Sequence, residues 1–132
     1  MLDVAESLVT DQRNAEIVVV TAQMACEIQI ELAFAKVMAA RSLGDVVAKS
    51  ILDLLPSRNI ANERVRRLYT ALSGDSIQHQ AFWPAYVELS RLRNRVIHSG
   101  ARATLQEARA AIEAARELTS HVSALLARPE WR

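Results

Sequence analysis

The 132 residues include only three glycines, three prolines, six aromatic residues and a single cysteine. So little glycine and proline allows few sharp turns, and so few aromatics disfavour a sheet protein. A lone Cys26 closes no internal disulfide and builds no zinc site, which fits a reduced, cytoplasmic setting. No charged-then-apolar leader opens the sequence, and no wholly apolar run is longer than Ile17 to Val20, whereas a bilayer crossing takes about 20 residues. A membrane partner is therefore not expected. One-signed charge is also missing: 16 Lys plus Arg stand against 15 Asp plus Glu, a net charge of +1, which excludes a strongly basic arm. With no internal repeat, low-complexity run or long linker, residues 1–132 read as one domain. A chain of this length buries about two-thirds of the surface it exposes when unfolded, so it needs no disulfide or metal staple.

What is present is alanine, 22 residues of it, within a composition that is 51% hydrophobic. That points to an all-α, single-domain helical bundle of five to six helices, the long ones antiparallel. Gly44, Gly74 and Gly100 each follow a helix-like segment, where a left-handed residue would end it. The expected segments are 2–10, 14–42, 46–55, 60–73, about 80–99 and 104–127. In the second, Ile17, Met24, Ile28, Leu32, Ala35 and Met38 keep helical spacing and read as its core face. Asp45 is the expected cap of the third, which Pro56 closes. In the fourth, Val65, Leu68 and Leu72 are the apolar positions and Arg64, Arg66 and Arg67 the solvated ones. Pro84 fits only the first turn of the fifth, so that helix starts at Phe82 or Trp83. Thr104-Leu105-Gln106-Glu107 is a capping box that opens the sixth, with Leu105, Ala108, Ile112, Ala115, Val122 and Leu126 as its stripe.

Chemistry concentrates in the fifth segment. Its apolar stripe is Phe82, Tyr86, Leu89 and Val96, and the position between the last two is Arg93. An unpaired buried guanidinium costs several kcal/mol, so Arg93 must face a carboxylate, a polar cleft or an oligomer interface. Glu27 and Glu31, spaced i, i+4 on the long second helix, are the candidate partners, with Glu27 preferred. Asn94 and His98, also i, i+4, share a face one turn before the helix ends at Ser99-Gly100. Arg91, Arg95 and Arg102 surround them.

The segment Leu92-Arg93-Asn94-Arg95-Val96-Ile97-His98-Ser99-Gly100 resembles the signature of the HEPN superfamily: Arg, a polar residue, spacers, then His at a helix end. The placement on a penultimate helix, after a long helix and before a capped one, is similar too. The resemblance implies a metal-independent endoribonuclease with no cofactor, of the bacterial toxin or phage-defence kind. It further implies a homodimer whose two motifs form one composite cleft, and a nucleotidyltransferase-like antitoxin as a possible partner. Arg93, Asn94 and His98 would be catalytic, and an acid on an earlier helix, Glu27 or Glu31, would support them. The residue types suit RNA, whose 2′-hydroxyl can attack the adjacent phosphorus. His98 would accept the hydroxyl proton and the Arg93 fork would hold the phosphoryl oxygens, while Asn94 would orient His98 or hold the phosphate. Arg93 and His98 lie about 140° apart around a regular helix, which makes a two-subunit site attractive. The alternative is a non-catalytic helical dimer that binds RNA or protein.

Elsewhere plainer roles are expected. Cys26 belongs in the core, His79 and His121 are surface or satisfied histidines, and no metal site is expected. Trp83 and Tyr86 are core or interface side chains rather than base-stacking ones. Arg66 and Arg67 join Arg91, Arg95 and Arg102 as candidate RNA contacts. Charge is uneven along the chain: residues 1–55 carry four basic and eight acidic side chains, residues 56–132 twelve and seven. The positive half contains the motif.

Overall fold

A computed structural model describes residues 1–8 and 14–131, and 78% of the chain is helical. Six helices follow one another: α1 (Leu2–Leu8), α2 (Ala15–Ala40), α3 (Asp45–Asp53), α4 (Glu63–Ser73), α5 (Trp83–Ser99) and α6 (Leu105–Leu126). Short 3-10 turns occupy Ile77–His79 and Pro129–Trp131, and among the described residues there is no strand. The expected extension of the first helix to Thr10 lies outside the described residues.

The central helix is α2, which packs most extensively on α6 and then on α1 and α5. Antiparallel pairing is that of α5 and α6, joined by the short turn from Gly100 to Thr104. The α2 and α6 contacts advance together, with Gln29 donating to Ser123 Oγ at 3.0 Å and Lys36 to the Leu126 carbonyl at 3.0 Å. These two helices therefore run in the same sense. The capping box forms as expected, with Glu107 N to Thr104 Oγ1 and Thr104 N to Glu107 Oε1 both at 3.0 Å. Pro84 sits in the first turn of α5, which starts at Trp83, and Gly74 and Gly100 adopt the left-handed conformation.

Four local expectations are corrected. Gly44 is extended (φ −67°) and is itself the N-cap of α3, so Asp45 is the first helical residue rather than the cap. The left-handed residue that ends α2 is Ser42, φ 63°. Its N–H reaches the Ala39 carbonyl and that of Leu43 reaches Met38, each at 3.0 Å, a Schellman closure built on serine. Helix α4 starts at Glu63 rather than Ile60 because Asn62 Oδ1 accepts from the Arg64 and Val65 amides, at 3.0 and 3.3 Å. Arg66 is not solvated: its guanidinium lies 5.3 Å over Trp83 and donates to the Ile60 and Ala61 carbonyls.

The fourth correction concerns the face that α2 buries. Ile17, Met24, Ile28, Leu32 and Ala35 all face outward, and of the expected stripe only Met38 is in the core. The buried side carries Val18, Ala22, Cys26, Ile30, Phe34 and Val37 instead. Apolar residues encircle this helix, so spacing cannot choose between its faces. Tolerating two charges, α2 is also long and apolar enough to cross a membrane by length and composition, which the count of uninterrupted apolar residues missed. In the fold 44% of that stretch is buried inside the domain.

On α6 the expected stripe is buried at Ala108, Ile112, Ala115, Val122 and Leu126. His121 is a satisfied histidine: its Nε2 meets Asp75 Oδ2 at 2.8 Å, and Tyr69 donates to the same oxygen at 2.6 Å. Burial, with this hydrogen bond second, raises the Tyr69 phenol above its ordinary range and keeps it a donor. The loop after α4 is thereby tied to α6.

Candidate functional site

Helix α5 has two differently built halves. In the first, Tyr86 is fully buried and stands in a chain of hydrogen bonds. Gln23, also fully buried, donates to Tyr86 Oη at 3.0 Å; Tyr86 donates to Asn59 Oδ1 at 2.7 Å; and Asn59 donates to Ser90 Oγ at 2.6 Å. Burial raises the Tyr86 hydroxyl well above its ordinary range, so it stays protonated and remains the donor to Asn59. This chain joins α2, α5 and the turn between α3 and α4. Trp83 is half-buried between Arg66 and Tyr86, with its ring centroid 5.6 Å from that of Tyr86.

The second half carries the motif. Arg93 faces α2, where Nη2 lies 3.7 Å from Glu27 Oε2, and both side chains are 23% exposed. The separation exceeds hydrogen-bond range, and Arg93 Nε is buried with no acceptor among the described residues. Glu27, rather than Glu31, is thus the residue opposite Arg93, while Glu31 Oε1 lies 3.8 Å from Arg58 Nε. Asn94 and His98 are exposed on the outer side and make no side-chain hydrogen bond among the described residues, so the expected orientation of His98 by Asn94 is not formed in this state. Arg93 and His98 do not converge within the chain: one points to α2, the other to solvent.

Among the surrounding cations, Arg91 and Arg95 share Glu88, at 3.9 and 3.8 Å, and Arg102 meets Glu16 at 2.6 Å. All three are exposed at or toward the motif end of α5. Arg66 and Arg67 are elsewhere. Arg66 lies on Trp83, ten residues and about 15 Å before Arg93 along the helix, and Arg67 pairs with Glu63 at 2.8 Å.

Beside Glu27 the outward face of α2 is apolar. Ile17, Met24, Ile28 and Leu32 are 54%, 48%, 45% and 55% exposed on one stripe. Val96 of α5 borders its beginning, in a shallow groove with Ile17, Val20 and Thr21.

Cys26 is buried, and burial, with Glu27 adding to it, pushes its thiol up to about 12, so it is a core residue and no nucleophile. No three His, Cys, Asp or Glu side chains come together as metal ligands among the described residues. Comparison with protein-family models, with curated proteins and with solved structures finds no match to this chain.

The Gln23–Tyr86–Asn59–Ser90 chain and the Arg58–Glu31 pair are absent from the sequence-level candidates. Gln23, a polar residue amid the apolar run of α2, was the available signal for the first. The second had none, since its partners are far apart in sequence.

Proposed function

We propose that the protein is a HEPN-type endoribonuclease, of the toxin or phage-defence kind, whose working site forms between two copies of the chain. One observation carries this reading. Arg93 holds a phosphate-type donor fork that the fold leaves under-used, five residues before an exposed helix-terminal His98 and beside an exposed apolar stripe. A buried donor without an acceptor costs about 1–3 kcal/mol, and a phosphate oxygen would relieve it.

In the reaction, His98 accepts the proton of an RNA 2′-hydroxyl as its oxygen bonds to the adjacent phosphorus. The bond from phosphorus to the 5′ oxygen breaks, and that oxygen takes up a proton. The products are a 2′,3′-cyclic phosphate and a 5′-hydroxyl end. Arg93 binds the non-bridging oxygens as their charge grows, an interaction stronger in the transition state than before it. Asn94 contacts the phosphate from the solvent side, and Arg91, Arg95 and Arg102 hold the flanking backbone. Glu27, 3.7 Å from Arg93 on α2, is the supporting acid. Because Arg93 and His98 diverge within one subunit, each site takes Arg93 from one protomer and His98 from the other. The α2 stripe is the proposed seam of the dimer.

Incubating the purified protein with a mixed single-stranded RNA pool in EDTA tests the reading. Cyclic-phosphate ends, lost in Arg93→Ala and His98→Ala variants that keep their helical spectrum, are the expected result. Cleavage that survives either substitution would refute the assignment. Cleavage that EDTA abolishes and a divalent ion restores would refute the metal-free chemistry. Salt-sensitive RNA binding without cleavage would instead make the protein a binding module.

A further inference from the structure

The side of α2 that meets Arg93 carries a second carboxylate one turn on. Glu27 and Glu31 are one turn apart, about 6 Å between their Cβ atoms, and each faces a different arginine: Arg93 from α5 at 3.7 Å and Arg58 from the α3–α4 turn at 3.8 Å. The two arginines share an unusual state. Their side chains are 23% and 24% exposed, and in both the Nε is buried without an acceptor. Two carboxylates one helical turn apart therefore stand near two guanidinium groups without satisfying them.

Resting on the ribonuclease reading, we infer that Arg58 is a second phosphate-binding residue of the cleft. Glu27 and Glu31 then occupy, in the free protein, the places that two consecutive RNA phosphates take when bound. A carboxylate and a phosphate oxygen are both acceptors for a guanidinium, and the phosphate presents acceptor oxygens on several sides. The glutamates act as a built-in competitor that holds both forks open.

Arg58 is positioned for this task by the interior. Its turn is anchored through Asn59, which accepts from Tyr86 at 2.7 Å and from the Ala61 amide at 3.0 Å and donates to Ser90 at 2.6 Å. Arg58 Nη1 reaches the Leu52 and Ser57 carbonyls at 3.3 and 3.4 Å, leaving Nε on the Glu31 side. Glu31 and Arg58 also line an open cleft of about 340 Å³ between α2 and α3, so solvent reaches the pair. Asp45 and the Lys49–Asp53 pair lie on the α3 side of that cleft and repel or ignore a polyanion. The strand accordingly runs from Arg58 toward Arg93 rather than along α3.

Fluorescence anisotropy with an uncleavable, fully 2′-O-methylated single-stranded RNA, titrated across salt concentrations, tests the inference apart from cleavage. Arg58→Ala should weaken binding about tenfold at low salt and lower the slope of log affinity against log salt by about 0.7, the value for one contact to a single strand. Because Arg58 also braces α3, Glu31→Gln provides the second arm: it removes the competitor without removing a brace and should tighten binding several-fold. Wild-type affinity and slope in Arg58→Ala, or unchanged affinity in Glu31→Gln, overturns the inference while the cleavage assignment stands. Conversely, cleavage surviving in His98→Ala sinks the nuclease reading and leaves the Arg58 contact intact. A wild-type protein that does not bind the oligonucleotide overturns the inference, and RNA cleavage alone then decides the nuclease reading.

Discussion

The two halves of α5 divide the work of the molecule. From Trp83 to Ser90 the helix is locked, with Tyr86 and Leu89 in the core and the polar groups of Tyr86 and Ser90 engaged by Gln23 and Asn59. From Arg93 to Ser99 it keeps a half-buried guanidinium with an unmet donor, an exposed amide and an exposed imidazole. Buried polar groups in proteins are nearly always satisfied, so the open Arg93 Nε is a local cost to stability in the second half, as Gln23 Oε1 is beside the first. The difference teaches that one helix can be a pillar at one end and carry exposed, unpaired polar groups at the other, with the first holding the second in register.

Mutating the two ends is the sharpest way to break this comparison. His98→Ala should lower the cleavage rate by about 10²- to 10⁴-fold and shift the urea midpoint hardly at all, because the side chain is exposed. Tyr86→Ala should do the reverse in kind, destabilising the fold by about 3–5 kcal/mol through cavity and lost hydrogen bonds. A His98 variant that unfolds, or a Tyr86 variant of normal stability, would erase the distinction.

Next in size is the effect at the α2 stripe. Met24→Asp combined with Ile28→Asp places charges on the outward face, where the fold tolerates them, and should turn a dimer into a monomer by light scattering while abolishing cleavage. Undiminished dimer and activity would move the seam elsewhere.

Smaller is the alkaline response of the interior. Cys26 is raised from an ordinary 9.0 to about 12, and the neutral thiol is the form the core favours. Its contribution is therefore complete below pH 9 and is lost progressively as pH rises from 9 toward 12. Tyr86 and Tyr69, also raised by burial, add their losses in the alkaline range. The urea midpoint of the wild type should fall between pH 9 and 11, and that of Cys26→Ala should fall less. The smallest effect is Ser42→Gly, which relieves a left-handed serine and should stabilise the fold by about 1 kcal/mol in urea melts.

Most local signals were legible, although Gly44 and Asp45 exchange their expected roles and the Asn62 cap starts α4 late. The capping box at Thr104, the Pro84 entry to α5 and the left-handed Gly74 and Gly100 depend on neighbours within four residues, and all were readable. Arg93 was also readable as an anomaly, since a charge in an apolar stripe needs a partner, and Glu27 proved to be opposite it. The outward face of α2 was misassigned because a helix apolar on every side carries no moment to point with. The chain from Gln23 to Ser90 was illegible for a different reason: its members come from three elements that only tertiary folding brings together.

The central claim is that Arg93 and His98 act together across two subunits. Mixing and co-refolding the Arg93→Ala and His98→Ala proteins in equal amounts tests it directly. Random pairing makes half the molecules heterodimers, each with one intact site, so about a quarter of the wild-type cleavage should return from two inactive proteins. A mixture that forms heterodimers and still leaves RNA uncut would contradict the account.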